Sequence, residues 1–180
     1  MELTLTAEDV RKIPTSVMPL IVLSDNLRSF LSWGIKAHTK GCYSHVMMLI
    51  DTETLVSQDF PFFREVPVDK YLQGGHRLKF VGNSAWTNQQ RLVMRLTAKR
   101  DARLPWWKRR YDLLGILGQF CGVESINVPW LNYCSEKVAG LIKIADPLLQ
   151  MKHPSPDDMN WYMENNQNRG YYVYGRYAPD

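Results

Sequence analysis

The clearest pattern along the chain is a set of short apolar runs bounded by turn residues, interleaved with stretches of helical periodicity. Val17 to Leu23 is a continuous apolar segment of strand length, which predicts a strand buried on both faces. Tyr43-Ser44-His45-Val46-Met47-Met48-Leu49-Ile50 is the strongest strand signal, and the polar turn Asp51-Thr52-Glu53 predicts that Thr54 to Phe60 returns beside it as a hairpin. Pro61 breaks that run. Glu65-Val66-Pro67-Val68 then resumes at a sheet edge, where proline is tolerated. After Gly74-Gly75, Arg77 to Val81 alternates as a further strand, and Tyr171 to Tyr177 reads as a closing one.

Between these runs lie the helical signals. Thr6-Ala7-Glu8-Asp9 caps a short helix carrying Val10 and Ile13, which Pro14 closes. Ser24-Asp25 is expected to cap a helix from about Asn26 to His38, with Leu27, Phe30, Leu31 and Ile35 inward. Thr87 to Gln90 is a capping box for a helix carrying Leu92, Val93, Leu96 and Ala98-Lys99. A further helix is expected over roughly Trp107 to Phe120, ended by Gly122. From Cys134, the residues Val138, Leu141, Ile142 and Ala145 recur at helical spacing until Asp146-Pro147, and Ser155-Pro156-Asp157-Asp158 opens a last short helix. Helices and a mostly antiparallel sheet fall in separate blocks, so the class is α+β, in a single domain over residues 1–180.

Composition narrows the picture. The longest apolar run, Val17 to Leu23, contains Pro19 and is far too short to span a bilayer. No basic-then-apolar leader opens the chain, so a cytoplasmic or virion-associated location is expected. Three cysteines, Cys42, Cys121 and Cys134, are too few and odd in number for a disulfide framework. The net charge of +4 is concentrated where Lys99, Arg100, Arg103, Lys108, Arg109 and Arg110 surround Trp106-Trp107. Such a patch is most often a solvated helix end with its tryptophans tucked beneath. The alternative is contact with a membrane surface through Trp106, Trp107 and their basic neighbours; no specific nucleic-acid partner is expected.

Cys134 stands where the irregular Asn127-Val128-Pro129-Trp130 gives way to a helix. Unpaired backbone N–H groups and the positive end of the helix dipole favour thiolate there, and thiolate is the nucleophilic form. Free cysteine is more often a small buried hydrophobe, so a histidine partner decides between the two. His38, His76 and His153 read as surface residues. His45 lies inside the strong strand on a face with Met47 and Leu49, where a polar ring needs a partner. A strand histidine facing a helix-terminal cysteine is the arrangement of papain-like catalysis. The neighbouring strand offers Ser57, Gln58 and Asp59 to hold the ring, and Gln58 would orient it without adding charge. Zinc is the competing chemistry for Cys42, His45, Cys121 and Cys134, but no Cys-x-x-Cys pair exists, and Cys42 and His45 would point to opposite faces of one strand. No cofactor is expected.

Tyr43-Ser44-His45-Val46 followed by Tyr133-Cys134-Ser135-Glu136 resembles the circularly permuted NlpC-type papain-like superfamily, which includes YiiX-like proteins and, more distantly, lecithin retinol acyltransferase. Ile21-Val22-Leu23, the stretch Val66 to Leu72, Tyr111-Asp112 and the loop His153 to Met159 extend the resemblance over roughly Val17 to Met159. Two positions depart from the pattern: Gln58-Asp59 stands where YiiX-like members commonly have Glu-Ala, and Met47 where the family often has glycine. The resemblance implies a permuted papain-like fold and a thiol-based acyl-transfer enzyme, with Cys134 as nucleophile, His45 as base and Gln58 fixing the imidazole tautomer. The expected substrate is an amide, as in peptidoglycan stem peptides and other cell-wall fragments. An acyl ester or thioester of a lipid is the alternative on the same fold, and a non-catalytic binding or virion-structural module is a third reading.

Overall fold

A computed structural model describes residues 3–26, 41–59, 61–73, 75–109 and 134–179. They form an α+β structure with a mixed seven-stranded sheet and five α-helices among the described residues. The strands are β1 (Thr4–Leu5), β2 (Leu20–Asn26), β3 (His45–Leu49), β4 (Thr54–Asp59), β5 (Phe62–Pro67), β6 (His76–Asn83) and β7 (Tyr171–Tyr177). Their order across the sheet is β1-β7-β6-β2-β3-β4-β5. All neighbours are antiparallel except β1 and β7, which run parallel. The helices are α1 (Ala7–Arg11), α2 (Asp69–Gln73), α3 (Asn88–Ala102), α4 (Cys134–Ile142) and α5 (Pro156–Asn165).

Both faces of the central strands are buried, which is why β2 and β3 read as continuous rather than alternating apolar runs. Ile21, Leu23, Val46, Met48 and Ile50 point to one face, where Met94 and Ala98 of α3, Val138 and Leu141 of α4, and Met159 and Tyr162 of α5 cover them. Leu20, Val22, Met47 and Leu49 point to the other, beneath Val10 and Ile13 and against Tyr71 and Leu72 of α2. Met47 therefore fills core volume.

Capping boxes form at Thr6 and Thr87, where the sequence indicates capped helix starts, and the helix opening at Ser155-Pro156 carries a third. Three expectations change. Ser24, Asp25 and Asn26 continue β2 and pair with Leu78, Arg77 and His76 of β6, so the strand runs on to Asn26, where the helix was expected to begin. The rest of that expected helix, with His38, lies outside the described residues. Of the residues that mark α3 in the sequence, Ala98 is buried with Met94 and Ala102, whereas Leu92, Val93 and Leu96 are exposed, not in the core where apolar residues at helical spacing would be expected. Finally, Trp106 and Trp107 belong to a short 3-10 turn, Trp106–Lys108, and are exposed rather than tucked under. The remainder of the expected helix through Phe120, and Cys121 with it, lies outside the described residues.

Candidate active site

Cys134 is the first residue of α4, a nine-residue helix whose apolar stripe Val138, Leu141 and Ile142 seats it against β3. Its N-terminal turn is fastened from several directions. Ser135 Oγ donates to the Pro154 carbonyl, Glu136 pairs with His153, and Lys137 Nζ lies 2.8 Å from Asp101 of α3. The strand that carries His45 is anchored at its entrance by α5. Asp157, in the first turn of that helix, accepts from the Cys42 N–H at 2.8 Å and from the Tyr43 N–H at 3.3 Å. Gly41 is required by the same clamp, since a Cβ there would fall 1.7 Å from an Asp157 carboxylate oxygen.

These anchors bring Cys134 and His45 together. The buried Cys134 thiol lies beside the His45 imidazole, which together with the backbone N–H groups of Val46 and Ser135 favours its thiolate form. On the other side of the ring, His45 Nε2 lies 2.7 Å from Ser57 Oγ and 3.3 Å from Asp59 Oδ1. Ser57 donates its one proton to Asp59 at 2.5 Å, so toward the histidine its oxygen is an acceptor and Nε2 carries hydrogen. Nδ1 is then the nitrogen left for the thiol. Tyr71 OH also donates to Asp59, at 2.6 Å, and its ring stacks over His45 at 6.3 Å between centroids. Lys70 pairs with the second Asp59 oxygen, and Arg64 Nη2 stands 3.7 Å from it.

The electrostatics follow from this geometry. Burial opposes charge on His45, but the Cys134 thiolate and the bonds to Asp59 and Cys134 outweigh it and push the imidazole up to about 10. Burial likewise opposes the thiolate. The charge and hydrogen bond of His45, with the two backbone N–H donors, still hold the Cys134 pKa below that of an ordinary thiol. Asp59 is held below the usual carboxylate range: the bonds and charge of His45, Lys70 and Ser57 prevail over its burial. Both shifts favour the thiolate–imidazolium form of the pair over the thiol and neutral imidazole. Burial and the nearby His45 charge push His76 down to about 4, so that ring stays neutral beside Tyr71 while its Nδ1 meets Ser24 Oγ at 2.8 Å.

Gln58 is not in this cluster. Its side chain points to the opposite face of β4 and donates to the Arg109 carbonyl at 3.1 Å. Strand alternation is the reason: Ser57 lies opposite Met47 in the β3–β4 ladder, and continuing that register puts Asp59, not Gln58, across from His45. The same count was available in the sequence, because a hairpin centred on Thr52 pairs His45 with Asp59. Tyr71 and His76 carried no comparable signal, and His76 is not the surface residue its glycine neighbours suggest. Cys42 is exposed and apart from this network, and among the described residues no group of three or more His, Cys, Asp or Glu side chains is placed to hold a metal ion. No protein-family model matches the chain, and no curated protein matches it in sequence.

Proposed function

We propose that this chain is a thiol-dependent hydrolase of the permuted NlpC-type papain-like kind, acting through a Cys134 acyl-enzyme. The observation that carries the reading is the buried Cys134 at the first residue of a helix, its thiolate favoured by the neighbouring His45 imidazole, whose Nε2 is held by Ser57 and Asp59. The order of the parts also supports it, with the histidine strand preceding the cysteine helix. Cys134 Sγ attacks a carbonyl carbon, and the carbonyl π electrons move onto oxygen. The Cys134 backbone N–H, at the start of the helix, helps to hold the resulting oxyanion. Collapse of that intermediate expels the amine, which takes the proton from His45 Nδ1. Water then attacks the thioester while neutral His45 accepts its proton, and departure of the acid restores the ion pair. Asp59 and Ser57 are positioning residues, keeping the Nε2–H in place throughout.

An amide is the favoured substrate because an amine is a poor leaving group that needs a proton, and His45 starts the cycle holding one. Peptidoglycan stem peptides are the first amides to try. Intact-mass spectrometry after incubation with wall peptides and, separately, with acyl lipids and acyl thioesters tests the proposal. An acyl adduct confined to Cys134 and lost in H45A is expected. Turnover that survives in C134A, or no adduct from any arm, would remove it.

A further inference from the structure

The outer face of α3 has no role in the chemistry above, and its composition is unusual for a solvated helix. At about 100° per residue, Gln89, Leu92, Val93, Leu96, Arg100 and Arg103 fall within a single arc roughly 100° wide. Leu92 and Leu96 are each more than half exposed, and Val93 only slightly less. The chain then turns at Pro105 and presents Trp106 and Trp107, packed edge to face at 5.9 Å and again each more than half exposed. Phe62 of β5 supports Trp106 from beneath at 6.4 Å. Five large apolar side chains in water are an energetic liability unless something covers them.

Charge indicates what does. Residues 88–109 carry Arg91, Arg95, Lys99, Arg100, Arg103, Lys108 and Arg109 against the single carboxylate Asp101, although the whole chain has a net charge of only +4. Lys99 and Arg103 pair with Asp51 and Glu65, and Asp101 is shared by Arg100 and Lys137. Arg95 and Lys108 have no ion-pair partner among the described residues. Aliphatic side chains in the middle of a stripe, cations at its end and tryptophans beside them are the make-up of a helix lying in a lipid interface. A nucleic-acid strand would use the cations and the tryptophans but would leave Leu92, Val93 and Leu96 without a partner.

We infer that the outer face of α3 and the Trp106–Lys108 turn form a docking surface for an anionic lipid bilayer. The surface lies apart from Cys134, so the inference holds whatever Cys134 acts on. It is tested by sedimentation of the full chain with vesicles of pure phosphatidylcholine and of phosphatidylcholine containing phosphatidylserine, with tryptophan emission as a second readout. Binding to the anionic vesicles, weakening as salt is raised, and a blue shift of emission are expected. L92Q/L96Q should lower the affinity roughly tenfold or more, and R95A and K108A roughly fivefold each. These side chains are solvent-facing, and circular dichroism together with unchanged Cys134 alkylation would show that the variants fold. Absence of binding to either vesicle, or equal binding to both, overturns the inference. So does tight binding of single-stranded nucleic acid that L92Q/L96Q leaves unaltered.

Discussion

Asp59→Asn separates the charge behind His45 from the shape of the site. The carboxylate oxygen lies 3.3 Å from Nε2. At an effective dielectric of about 20, that spacing corresponds to about 5 kcal/mol of attraction, an upper limit because Lys70 and Arg64 face the same carboxylate. An opposite charge at this range typically moves a pKa by about 1–3 units. The His45 imidazole, held at about 10 in the native protein, should therefore fall by about that amount in D59N. Cys134 leans on that imidazolium, so its own pKa should rise, and the pH window in which thiolate and imidazolium coexist should narrow from both sides. The ultraviolet absorbance of the thiolate, followed against pH with the C134S protein subtracted, reads both edges. A D59N titration that overlays the native one would refute the assignment of Asp59 to the imidazole.

Gln58→Ala should leave the same titration unmoved and cost about 1 kcal/mol in chemical denaturation, through loss of the bond to the Arg109 carbonyl. Met48→Ala opens a cavity beneath α4 at a fully buried position and should cost about 2–5 kcal/mol. Stability should also depend on pH with a definite sign. Asp59, depressed in the fold, contributes fully above its unfolded value of about 3.9 and loses that contribution as pH falls toward the depressed value. His45, raised in the fold, contributes fully below about pH 6.5 and loses that contribution as pH rises toward about 10. Urea titrations of the native protein and D59N should accordingly differ most near pH 6, and the difference should shrink steadily as the pH falls below about 4.

What could be read from the chain follows physical scale. The strand from Tyr43 and the helix from Cys134 were legible because each carries a dense local pattern, apolar run in one case and 3.6-residue spacing in the other. The closing strand Tyr171–Tyr177 was legible for the same reason. The pairing of His45 with Cys134 needed only the chemistry of the two residue types. The residue behind His45 depended on register, where a slip of one position exchanges Asp59 for Gln58 and turns the side chain to the other face. The extension of β2 through Asp25 and Asn26 was not legible because β6 supplies a ladder that only the tertiary fold reveals. Which face of α3 is inward was not legible because Ala98 and Ala102 bury through closeness of approach, a property that side-chain hydrophobicity does not encode.

The ion pair at Cys134 is the claim on which the functional reading depends, and competition between Cys134 and Cys42 tests it directly. Exposure and activation point to different residues: Cys42 is open to solvent, whereas Cys134 is 4% exposed but sits against His45 and two backbone donors. Limiting iodoacetamide at pH 6, followed by peptide mapping of all three cysteines, ranks their reactivity. Cys134 should be labelled first, and H45A should slow that labelling while leaving Cys42 unchanged. Labelling of Cys42 ahead of Cys134, or a Cys134 rate indifferent to H45A, would contradict the account.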